Sequence, residues 1–141
     1  MTIIRLKRSD RLAIHLEFDY HGAGVLLKAL RAAASDGGGP VSIEYDRSVT
    51  KTKRFSTMNE ELLVITRSDS DAIEDSGNSV SLNLEDDTLK YAIARFQKCL
   101  TDNAFDPPEL CELRVAGKRD ADNDLYCILL KEDTTKDTHS S

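Results

Sequence analysis

The sequence predicts an α+β fold with two βαββ-like halves, in which two amphipathic helices pack on a largely antiparallel sheet. Three observations lead to this prediction. Apolar and polar residues alternate in several short segments, as they do in half-buried strands. Two other segments repeat apolar residues at three- and four-residue steps, as on one face of a helix. The two strand–helix segments also align with each other at a constant offset of about 66 positions.

The first half begins with two strand patterns. Residues 2–7 alternate weakly and are predicted to form an edge strand, whereas residues 12–18 alternate clearly. Asp19 follows at the corner and is predicted to cap the next helix. The apolar stripe of that helix runs over residues 23–34, and a third strand is predicted at residues 41–45.

The middle of the chain is polar. Residues 47–59 are predicted to form either a long loop or a solvated hairpin arm, with a run of basic residues at 47–54. A short apolar strand is predicted at residues 62–66. The segment 67–78 is rich in serine, aspartate and glycine, so it is predicted to be a loop and the most mobile part of the domain.

The second half carries the clearest strand–helix–strand pattern. Asp86 and Asp87 offer a capping carboxylate and negative charge at the start of its helix. The prolines in the segment 103–108 end that helix. A true repeat and a chance alignment of two strand–helix joins are both open interpretations of the constant offset, and the α+β class is expected in either case. The predicted elements of this half are a strand at 79–85, a helix over 89–100, and strands at 111–115 and 125–130.

Composition predicts one α+β domain over residues 1–131, followed by a disordered C-terminal tail at 132–141 that has almost no apolar residues. The net charge of −6 opposes general binding of nucleic acid and favours a basic partner. No apolar run approaches the roughly 20 residues that cross a bilayer, and no signal-peptide core follows the basic N-terminus. A cytoplasmic location is therefore expected, with no membrane partner.

The cysteines support that location. Cys99, Cys111 and Cys127 are an odd number without close spacing, which fits neither a disulfide framework nor a zinc site. Cys99 and Cys127 fall on core-facing patterns, where burial raises the pKa of a thiol and leaves it unreactive. The sequence therefore predicts reduced structural thiols.

The sequence predicts no catalytic residue, no metal ligands and no cofactor. His15, His21 and His139 have no cysteine or second histidine at ligand spacing. The serines lack the strand–turn–helix setting of an activated nucleophile. The glycines at positions 22 and 24 weakly match a phosphate-binding turn, and a helix-capping corner is the preferred interpretation.

Acidic residues cluster around the second helix, with more carboxylates than one helix cap requires. One interpretation is a surface that binds a basic protein partner. A second is paired carboxylates for acid–base catalysis or for a hard cation, as in a small hydrolase with a site at residues 85–87. The predicted partner-binding residues are Glu85, Asp86, Asp87, Asp102, Asp106 and Glu109.

Two resemblances bear on function. The doubled strand–helix–strand halves are similar to one domain of a sliding DNA clamp, but three acids at the start of the second helix argue against transfer of that function. The strand and acids at residues 80–87, the helix to Leu100, and the segment 103–113 with Asp106-Pro107-Pro108 resemble small acidic α/β immunity proteins of bacterial toxin–immunity systems. That resemblance implies binding to a toxin, often a basic nuclease, and coverage of its active site.

The sequence therefore predicts a non-enzymatic, cytoplasmic protein-binding domain, with an immunity-type inhibitor of a basic toxin as the leading case. The alternative is a small nucleic-acid- or nucleotide-associated protein. In that alternative, the basic residues of the segment 47–54 contact phosphate and Phe55 stacks on a base.

Overall fold

The computed structural model of the protein describes residues 2–9, 13–36, 39–46, 58–75, 79–115 and 122–131. The predicted C-terminal tail at 132–141 and the basic run at 47–54 lie outside these residues.

Eight strands and two helices follow one another in the described chain. The helices are α1 (Tyr20–Asp36) and α2 (Asp86–Asp102). The strands are β1 (Ile4–Ser9), β2 (Ala13–Phe18), β3 (Gly39–Asp46), β4 (Met58–Arg67), β5 (Ala72–Asp75), β6 (Ser79–Leu84), β7 (Glu109–Val115) and β8 (Asp122–Leu129).

The strands close into a barrel in the order β1-β2-β8-β7-β5-β6-β4-β3, and β3 pairs back to β1. The predicted fold class, two helices packed on an open and largely antiparallel sheet, is therefore wrong, because the protein is mostly β and its sheet is closed. Period-two alternation reports which face of a strand is buried. It does not report which strand lies beside it, so it could not reveal the closure.

Parallel and antiparallel pairings are equally frequent around the ring. The antiparallel pairs join strands that are neighbours in sequence, namely β1–β2, β3–β4, β5–β6 and β7–β8. The parallel pairs are β1–β3, β2–β8, β4–β6 and β5–β7. The first half thus forms a sheet β4-β3-β1-β2 and the second half forms a sheet β8-β7-β5-β6. The two sheets join where β2 meets β8 and where β4 meets β6.

The two halves repeat each other in position as well as in topology. Strands β2 and β6 begin and end 66 residues apart, and so do the 17-residue helices α1 and α2. Each half is a ββαββ unit, which has one strand more than the predicted βαββ unit. Strand β1 was predicted as an edge strand but is paired on both sides, whereas β5 was missed, because it lies in the predicted loop 67–78. Strand β4 also extends beyond the predicted segment 62–66.

One apolar core joins the helices to all eight strands. Helix α1 packs against β2, β3, β4 and α2. Helix α2 buries Leu89, Ala92, Phe96 and Cys99 in the same core. The Tyr20 hydroxyl at the start of α1 donates to the Leu100 carbonyl near the end of α2. Arg67 connects the opposite ends, because it contacts both the Ala34 carbonyl and the Asp86 carboxylate, so the helices run antiparallel. Phe18, Phe96 and Phe105 form an aromatic cluster with ring centres 5.1–5.9 Å apart, and it unites β2, α2 and the segment after α2. None of the described helices is long and apolar enough to span a bilayer.

Candidate functional site

The six acids predicted to bind a partner are all exposed. They fall into two groups, because Glu85, Asp86 and Asp87 lie at the start of α2 and the other three lie at or beyond its end. At about 1.5 Å of rise per residue, the two ends of this helix are about 24 Å apart. The structure therefore divides the predicted site into a start group and an exit group, the latter made of Asp102, Asp106 and Glu109.

The start group is held in place by a residue that the sequence analysis missed. The carboxylate of Asp71 accepts hydrogen bonds from the Glu85 backbone N–H at 2.7 Å and from the Thr88 hydroxyl at 2.7 Å. The Ser68 N–H also donates to the Leu84 carbonyl at 2.8 Å. These bonds fold the turn before β5 onto the start of α2, so Asp71 and the exposed Asp69 join the acids there.

The predicted capping role of Asp86 and Asp87 is wrong. The N-cap residue of α2 is Glu85, and its side chain makes no capping hydrogen bond. Asp86 instead pairs with Lys90 at 3.1 Å, one turn along, and with Arg67 at 3.9 Å. Asp86 and Asp87 still place negative charge in the first turn, where the helix dipole favours it.

The exit group lies in a different electrostatic setting, because basic side chains surround it. Arg95 and Lys98 line an open groove of about 210 Å³ together with Asp102, Ala104, Phe105 and Asp106. The guanidinium of Arg95 donates to the carbonyls of Pro107 and Glu109 and to the Tyr91 hydroxyl. Lys131 donates to the carbonyl of Asn103. Of these three basic side chains, Arg95 and Lys131 thus donate to uncharged oxygens in the described part of the chain.

Tyr91 and Arg95 are a second feature that the sequence analysis missed. The Tyr91 side chain is 48% exposed, and its ring centre lies 5.4 Å from the Arg95 guanidinium carbon. The signal in the sequence is an aromatic residue and an arginine four positions apart, off the apolar stripe of the helix. Tyrosine and arginine are among the residues that most often dominate binding energy at protein interfaces.

The start of α1 is the equivalent position in the first half, and it carries one acid, Asp19, where the second half has three. Asp19 precedes α1 as Glu85 precedes α2, and its carboxylate accepts from the N–H groups of Gly22 at 2.7 Å and Ile3 at 3.1 Å. The predicted cap at Asp19 is confirmed. In the first half the accepting carboxylate belongs to Asp19, next to α1, and a donating N–H belongs to Ile3, before β1. In the second half these positions are exchanged, because the carboxylate belongs to Asp71, before β5, and the N–H belongs to Glu85, next to α2. The glycine at position 22 serves this corner, because its N–H donates to the Asp19 carboxylate.

The three thiols and two of the three imidazoles lie in the described part of the chain. Cys99 and Cys127 are buried, Cys111 is half-buried, and all three are free. Burial raises the pKa of each of the three thiols, and for Cys111 burial and the nearby Asp71 carboxylate raise the pKa to about 12. His15 packs edge-on against Tyr126, with ring centres 5.6 Å apart, and His21 is exposed. Among the described residues, no three His, Cys, Asp or Glu side chains are grouped so that they could hold a metal ion.

Comparison of the chain with protein-family models, curated proteins and solved structures gives no match. The resemblance to immunity proteins therefore stays a prediction. The alternative binding element, the basic run at 47–54, lies outside the described residues and also stays a prediction.

Proposed function

We propose that the protein is a non-enzymatic binding domain that uses α2 and its flanks to dock on a basic protein. An immunity-type inhibitor that covers the active surface of a toxin is the specific case. The observation that supports this proposal is the state of the six acids. All six are exposed, and within the described part of the chain only Asp86 forms an ion pair. Five carboxylates are left to attract a partner.

The spacing of the two acidic groups suits one partner. A standard interface covers about 800 Å² on each side, which corresponds to a patch roughly 30 Å across. The ends of α2, about 24 Å apart, fit within such a patch. The exposed Tyr91 lies between them and supplies an aromatic contact for its centre. Charge at the rim mainly speeds encounter, whereas the central contact slows dissociation.

A cytoplasmic location and the lack of catalysis belong to the same proposal. The three free thiols suit a reducing compartment, where disulfides rarely persist. The raised thiol pKa values keep these groups protonated near neutral pH, which does not suit a nucleophile.

The test is co-expression of this chain with the protein encoded by the adjacent reading frame, followed by purification of the complex and measurement of association rates. Asp87→Lys and Asp106→Lys reverse one exposed charge in each group. Glu60→Lys makes the same change on β4, away from α2, and serves as the control.

We expect Asp87→Lys and Asp106→Lys to associate at least about threefold more slowly than the control, with the difference shrinking as salt rises. Circular dichroism melts check that each variant folds. Equal association rates for all three variants would place the interface elsewhere. Failure of the adjacent gene product to bind or to be neutralised would refute the immunity assignment.

A further inference from the structure

The segment that leaves α2 has few backbone interactions of its own. Residues 104–108 form neither helix nor strand, and the two prolines among them have no N–H to donate. Helix α2 contacts this segment through the packing of Phe96 on Phe105, whose ring centres lie 5.1 Å apart. Main-chain support comes from the Cys127 N–H, which donates to the Pro108 carbonyl at 2.8 Å.

The side chain of Arg95 links α2 to residues 104–108, which we call the exit segment. Its Nη1 donates to the Glu109 carbonyl at 3.2 Å and to the Tyr91 hydroxyl at 2.8 Å, and its Nη2 donates to the Pro107 carbonyl. The guanidinium also lies over Phe105, with its central carbon 4.5 Å from the ring centre. The same group therefore contacts α2, the exit segment and the first residue of β7.

We propose that Arg95 is a positioning residue that fixes the exit segment, and with it the carboxylates of Asp106 and Glu109, relative to α2. The role of those carboxylates rests on the proposed function, but the positioning does not. The planar fork of the guanidinium matters here, because it donates in two directions while its face covers an aromatic ring. A lysine ammonium is a point charge and cannot reproduce this arrangement.

The test is the backbone order of Ala104, Phe105, Asp106 and Glu109, measured as ¹⁵N order parameters by NMR on the full chain. The variants are Arg95→Met, which keeps the apolar stem, and Arg95→Lys, which keeps the charge. The control is Lys98→Met, because Lys98 lines the same groove but makes no hydrogen bond to a carbonyl of the exit segment in the described structure.

We expect the order parameters at these four residues to fall below about 0.6 in both Arg95 variants and to stay near the rigid value of about 0.85 in the Lys98 control. Residues in β2 and β8 should stay rigid in all of them, which separates local release from general loss of stability. Unchanged order parameters in Arg95→Met would refute the positioning role, and wild-type order parameters in Arg95→Lys would refute the need for the fork. Neither result depends on a partner, so failure here leaves the proposed function standing.

Discussion

The absence of a side chain at Gly22 allows the start of α1 to pack closely against the chain at Ile3 and Ile4. A Cβ at this position would lie 2.3 Å from the Ile3 carbonyl oxygen and 2.9 Å from Cγ1 of Ile4. The Ile3 carbonyl also accepts the Asp19 N–H at 3.1 Å, so it cannot move without breaking the link between β1 and α1. By contrast, a Cβ at Gly24 would meet nothing within 4 Å.

Gly22→Ala and Gly24→Ala are therefore expected to change stability in opposite directions. Gly22→Ala should destabilise the protein by about 1–3 kcal/mol, because the backbone must shift to relieve the clash. Gly24→Ala should stabilise it by about 0.5–1 kcal/mol, since alanine loses less conformational freedom in a helix. Urea unfolding of both variants checks this, and destabilisation by Gly24→Ala would show that the corner has less space than described.

Cys111 is expected to make stability fall with pH in the alkaline range. Its folded pKa of about 12 lies above the value of 9.0 for a free thiol. Below pH 9.0 the thiol is neutral in both states, so its contribution to stability is complete. As the pH rises from about 9 towards 12, the unfolded thiol ionises while the folded one does not, and that contribution is progressively lost.

Unfolding by urea at about pH 8 and about pH 10 in the wild type and in Cys111→Ala isolates this thiol from the other two. The wild type should lose about 1 kcal/mol more than the variant between the two conditions. An equal loss of unfolding free energy in the wild type and in Cys111→Ala would mean that the Cys111 thiol is more hydrated than its surroundings indicate.

At the scale of elements, the turn before β5 acts as an anchor for α2. Removing the carboxylate in Asp71→Ala should destabilise the protein by about 1–2 kcal/mol, because the Glu85 N–H and the Thr88 hydroxyl lose their acceptor. Asp69→Ala is the matched control on the same turn and should stay within about 0.5 kcal/mol of the wild type. Thermal melts of the two variants give the comparison. An equal effect of both would show that charge, rather than the hydrogen bonds, matters at this turn.

The spacing of apolar residues in the sequence predicted those strands and helices that bury one face. The alternation of Ile14, Leu16 and Phe18 and the helical spacing of Leu89 and Phe96 correspond to buried faces in the structure. Strand β5 was missed because its four residues, Ala72–Asp75, end in two acids and bury one side chain fully. The anchor at Asp71 was missed because it acts across 14 positions, which no local spacing marks.

The barrel lay beyond sequence reasoning for a related reason. Closure depends on parallel pairings such as Ala13 with Asp124, between segments at opposite ends of the chain. The alternation in β2 is the same whether its neighbour is β8 or solvent. The six candidate acids were recognisable by their number. Their division between the two ends of α2 and the hydrogen bonds from Arg95 to carbonyls depend on the fold, so neither could be predicted from the sequence.

At the scale of the whole molecule, the aromatic cluster makes the core a single unit. Phe96 is buried, and its ring centre lies 5.1 Å from those of both Phe18 and Phe105. Phe96→Ala should cost roughly 3–5 kcal/mol through lost burial and a cavity, whereas Gln97→Ala on the exposed side should cost little. Far- and near-ultraviolet circular dichroism should follow one common transition in both variants. Separate transitions would show that the halves unfold independently.

The closure of the ring also has a consequence for synthesis. Both outer strands of the first sheet, β2 and β4, are covered by strands of the second half, β8 and β6. Among the described strands a ribosome makes β8 last, so the β2 edge of the nascent first half stays open even after β6 can cover β4. The ring can be completed only once β8 has left the exit tunnel. Until then, protection of the β2 edge must come from the charges along it or from a chaperone.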